Sequence, residues 1–145
     1  MPASRDIRPY IYLGLDVAFA LVYAVILVKV IPTRIASTAL QLWTLPAFTI
    51  VMAAGTASIF TSRLRARGRK VAIAGASLML LSTIVLIVRV LASAAFLAGV
   101  YGAFGKAAAT FALVVVALVI ELVALLPIVQ VKYLLSRAGR RAYAA

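Results

Sequence analysis

Four long apolar runs constrain this chain more than any other feature. They cover about 10–31, 37–62, 71–98 and 107–131, each near or above the roughly 20 residues a helix needs to cross a hydrocarbon core. Lipid offers no partner for backbone N–H and C=O groups, so such runs must satisfy their own hydrogen bonds as helices. Composition agrees. Of 145 residues, 66% are hydrophobic and 12% charged, whereas a soluble domain carries about 45–50% apolar and about 25% charged residues. With a mean hydropathy of +1.17, a water-soluble fold would have too little polar surface to cover itself. The expected fold is all-α: a four-helix transmembrane bundle, up-down-up-down, forming one polytopic membrane domain over 1–145.

The connections read as short. Pro32 stops the first run, because proline cannot continue a helix ladder, and Thr33 or Ser37 is placed to cap the second. The third and fourth runs are separated by Gly99-Val-Tyr-Gly-Ala-Phe-Gly105, whose glycines suit a tight turn. Between the second and third lies a basic loop, 63–70, and a basic tail follows over 132–145. Short connections make sequence neighbours antiparallel and adjacent. Arg5 and Arg8 give the first run the look of a signal peptide. Its length, Asp16 within it, and the lack of a small-x-small motif at Lys29–Pro32 read instead as a retained span.

Orientation follows from the cations. One side holds eleven (Arg5, Arg8, Arg63, Arg65, Arg67, Arg69, Lys70, Lys132, Arg137, Arg140, Arg141) and the other three (Lys29, Arg34, Lys106). The positive-inside rule puts both termini and the basic loop in the cytoplasm, in a membrane such as the bacterial inner membrane. This arrangement also accounts for the net charge of +12 without nucleic acid as a partner, since the cations flank apolar segments rather than forming a patch. The loop cations Arg63, Arg65, Arg67, Arg69 and Lys70 read either as this topology signal alone or as a contact for anionic lipid head groups.

Three ionisable residues lie well inside the runs: Asp16, Arg89 and Glu121. Each is costly against lipid and should face the bundle interior, a partner or a water-filled space. Counted from the cytoplasmic side at 1.5 Å per residue, Asp16 lies about 9 Å deep, Glu121 about 17 Å and Arg89 about 27 Å. Asp16 shares a helix face with Tyr12, Ala20 and Tyr23. It reads as a proton or cation site, or as a hydrogen-bonded carboxyl beside an aromatic belt. Arg89 shares a face with Ser82, with Ser93 one turn on. It either pairs with Glu121 or extends toward the far interface. Glu121, near the midplane, reads as a proton-carrying group or as a structural partner for Arg89. Gln41 offers an interhelical hydrogen bond, and the small residues of the second run, such as Ala54 and Ser58, favour close helix approach.

The chain has no Cys and no His, which removes disulfides, thiolate or imidazole metal sites and His acid–base chemistry. Usual nucleophile–base pairs lack parts, so no enzyme, metal or cofactor is expected. Two functions remain. One is a small ion- or proton-linked transporter or channel working as a homo-oligomer, with Asp16 and Glu121 binding the proton or cation. The other is a non-catalytic accessory or scaffold subunit whose buried charges fix helix register among other membrane subunits.

Overall fold

The fold was obtained as a computed structural model, which describes residues 6–30, 36–119 and 123–144. Every regular element among them is helical: α1 (Arg8–Val30), α2 (Ala36–Ala57), a 3-10 turn (Ser58–Phe60), α3 (Arg65–Val119), α4 (Leu125–Leu135) and α5 (Arg137–Ala142). Among the described residues, four segments are long and apolar enough to cross a membrane: Arg8–Lys29, Trp43–Phe60, Arg65–Phe96 and Ala98–Leu118. α1 packs on α2, α2 on α3, and α3 on α4.

The polarity of the surface is inverted relative to a soluble protein. Asp16, Thr49, Thr56, Ser58, Thr83 and Gln130 are buried, while leucines, isoleucines, valines and phenylalanines on α1, α2 and α3 are exposed. The helical hydroxyls are satisfied locally, as apolar surroundings require. Thr49, Thr56 and Thr83 donate to the carbonyls four residues earlier, on Leu45, Met52 and Met79. Such an exterior suits hydrocarbon.

Small residues set the closest approach, between α2 and α3. A Cβ on Gly55 would lie 2.3 Å from the Ala72 backbone nitrogen, and one on Gly75 would lie 2.7 Å from that of Met52. Backbones this close leave no room for a side chain, as in small-residue membrane interfaces. Further along, Thr44 and Ser82 join the same two helices through their hydroxyls.

Two connections differ from the sequence expectation. Residues 63–70, read as a loop, are mostly the first turns of α3, and only 62–64 form a turn. Arginine and lysine are good helix formers, and Gly68 packs against Ser58 and Gly55. The glycine-rich connection is also helical on both sides of a single break at Gly102, at φ 58 and ψ −128. One glycine in a conformation that other residues rarely adopt replaces the expected seven-residue loop.

The C-terminal end is built around capped helix termini. Ser136 ends α4 and starts α5, its Oγ accepting from the Gly139 N–H at 3.1 Å, an N-cap contact. Arg69 Nε donates to the Leu134 carbonyl at 2.9 Å and Arg65 Nε to the Ile59 carbonyl at 3.0 Å. Both guanidinia thus satisfy carbonyls at helix C-termini, where cations are favoured. Ile59, Ala72, Tyr133, Leu134 and Tyr143 form the core beneath them.

Candidate functional site

Asp16 sits midway along α1 on the face that carries the other buried residues of that helix, Pro9, Ala20 and Leu27. It is fully buried, at 0% exposure. Its Oδ2 accepts from Gln130 Nε2 of α4 at 2.7 Å and from Thr56 Oγ1 of α2 at 3.4 Å. The carboxyl therefore lies where α1, α2 and α4 meet. Gln130 and Thr56 are buried almost as completely, at 1% each. Tyr143, beyond α5, reaches the same place, its Oη donating to the Thr56 carbonyl at 3.4 Å.

The donors do not cover the acceptors. The Thr56 hydroxyl has one proton and two acceptors within reach, and the Met52 carbonyl at 2.9 Å is nearer than Asp16. Asp16 Oδ1 and Gln130 Oε1 are both buried without a hydrogen-bond partner. Among the described residues no cation lies within ion-pair distance of Asp16; the ion pair found there joins Arg8 and Asp6. The site is thus a buried carboxyl with neutral donors on one oxygen and none on the other.

A second polar cluster lies at the start of α1. Asp6 forms a bidentate pair with Arg8 at 3.0 Å and accepts from Tyr133 Oη at 2.8 Å. The Arg8 guanidinium also stands 4.8 Å from the Tyr133 ring centroid, within cation–π reach. Arg8 holds the Asp6 carboxyl below the usual carboxylate range, with Tyr133 adding to the effect. Tyr12 packs its ring on Tyr133 at 5.3 Å.

The residues singled out from the sequence fall in several places. Tyr12 and Tyr23 are half-buried on the Asp16 side of α1, and Tyr23 stacks on Phe19 rather than bonding to the carboxyl. Ser82 joins Thr44. Arg89 is exposed, and Ser93 donates to its carbonyl. Glu121 lies outside the described residues, and Gln41 outside those whose side chains are described. Of the basic segment, Arg63, Arg67 and Lys70 are exposed, whereas Arg65 and Arg69 engage carbonyls.

Sequence reasoning missed Gln130, Thr56 and Tyr143. Gln130 did carry a signal: like Gln41, it is an amide inside an apolar run, where such groups serve as interhelical donors. Thr56 was hidden among small residues, and nothing in the sequence marks Tyr143. No family model, curated protein or solved structure matches the chain.

Proposed function

We propose that this is a small proton-linked membrane transporter in which Asp16 is the proton-carrying group. The observation that carries the reading is the complete burial of Asp16 with one unpartnered oxygen and, among the described residues, no cation within ion-pair distance. An ionised carboxylate in that position would stand uncompensated, at a cost of several kcal/mol. A proton removes that cost. Thr56 Oγ1 can accept it, because its own proton goes to Met52. Buried intramembrane acids that gain and lose a proton are the working parts of proton-coupled pumps and transporters.

The proposal includes the arrangement in the membrane. Gly102 stands about halfway along the chain between Arg69 and Leu134, whose side chain and carbonyl meet. This supports an antiparallel return at Gly102 and an up-down-up-down four-helix bundle. The cation count supports termini and basic segment in the cytoplasm of a bacterial inner membrane. Four helices enclose little room for a solute, so the path forms between subunits of a homo-oligomer.

Proton flux into liposomes, read by an internal pH-sensitive dye, tests this. Asp16→Asn retains the shape and the bond to Gln130 but cannot carry a proton; flux should fall at least about tenfold with thermal stability preserved. No flux in the native protein, or equal flux in the variant, overturns the reading. The accessory-subunit alternative is favoured by one observation: the Asp16–Gln130 bond ties helices 114 residues apart, as a register-fixing contact would. It predicts no flux and a stable complex with another membrane protein.

A further inference from the structure

An apolar groove runs along the outer face of α1 and α2. Leu13, Val17 and Ala24 line it on α1, and Ile50, Ala54 and Ala57 on α2, around a volume of about 440 Å³. It exists because alanines, not leucines, occupy much of the seam. From Leu13 to Ala24 the groove is about 16 Å long at 1.5 Å per residue, close to one leaflet of a hydrocarbon core about 30 Å thick.

The two ends of the groove differ in charge. Leu13 and Ala57 mark the end nearer the basic segment: Arg63 follows Ala57 after the 3-10 turn, with Arg67 and Lys70 in the first turns of α3. All three are exposed. Arg65 and Arg69 are drawn inward to carbonyls, and Lys70 lies on the side of α3 opposite Gly68 and Ala72, which pack on α2, so the cations of this segment left for a ligand in the groove are Arg63 and Arg67. At the opposite end the nearest cation along α1 is Lys29. A second copy docked in this same groove would bring its own Arg63 and Arg67 against these two, so at this face an anion is favoured over self-association, and subunit contacts of a homo-oligomer fall elsewhere.

We infer that the α1–α2 groove is a binding site for one anionic phospholipid, with an acyl chain along the groove and the phosphate between Arg63 and Arg67. The site does not depend on a transport activity. It requires only a chain-shaped apolar slot and a cluster of positive charge at one end, which together select anionic over neutral lipids.

A photoreactive phosphatidylglycerol carrying a diazirine midway along one chain tests the inference on the purified native protein in neutral detergent. Adducts should concentrate on residues 13–24 and 50–57 and exceed those from the matched phosphatidylcholine probe. Ala54→Phe, which fills the groove, should abolish the concentrated labelling. Arg63→Ala combined with Arg67→Ala should lower the anionic preference by about thirtyfold. Equal labelling by the two probes, adducts spread over all the lipid-facing helices, or unchanged labelling in Ala54→Phe would overturn it. The comparison of probes on the native protein stands even where a variant fails to fold.

Discussion

At the scale of single residues, Asp16 was legible because a carboxyl in an apolar run stands out against its neighbours, whereas its partner was not. Gln130 lies 114 residues away, and which side chain faces Asp16 depends on helix register, which hydropathy does not encode. The pair has a measurable consequence. Gln130→Leu removes the strong donor and should destabilise by about 1–3 kcal/mol, the range for a buried polar group left unsatisfied. Replacing both Asp16 and Gln130 by Leu should recover part of that loss, since no orphaned group remains. Reversible unfolding in mixed micelles would read both. Asp6 gives a pH prediction of definite sign. Its carboxyl is held below the usual range by Arg8 and Tyr133, so its stabilisation is complete above the unfolded value of about 3.9 and lost as pH falls through the depressed folded value. Acidification below about pH 4 should raise amide exchange at the start of α1, and Asp6→Asn should show raised exchange already at neutral pH with little further change on acidification.

At the scale of elements, the apolar runs announced the helices, but their ends were set by contacts outside them. The basic segment read as a loop because it separates two spans, yet Arg65 and Arg69 are held by carbonyls of other elements and continue α3 toward its start. The small residues of the second run did foretell close approach, though not that α3 would be the partner. Gly55 and Gly14 make a controlled contrast. A Cβ at Gly55 meets backbone of α3, whereas one at Gly14 meets nothing within 4 Å. Gly55→Ala should therefore destabilise by about 1–3 kcal/mol through overpacking, while Gly14→Ala should stabilise by up to about 1 kcal/mol through helix propensity. Thermal melts of the two proteins in one detergent would show shifts of opposite sign.

At the scale of the whole molecule, burial and charge point the same way. Hydroxyls, an amide and a carboxyl are inside, apolar side chains outside, and the cations gather near α3's start and the C-terminal end. If the chain returns at Gly102, residues on either side of α3's break must lie across the membrane from the basic segment. The native chain has no cysteine, so single-cysteine variants report accessibility without background. Ala66→Cys and Ala144→Cys should react with an impermeant maleimide only after cells are opened, and Ala103→Cys should react in intact spheroplasts. Labelling of Ala66 and Ala103 from the same side would rule out the crossing between them. Labelling of Ala144 from the Ala103 side would instead break the return at Gly102. That second result would conflict with the contact between Arg69 and Leu134, which binds α3's first turns to the last turn of α4. The contact requires an even number of crossings between the two.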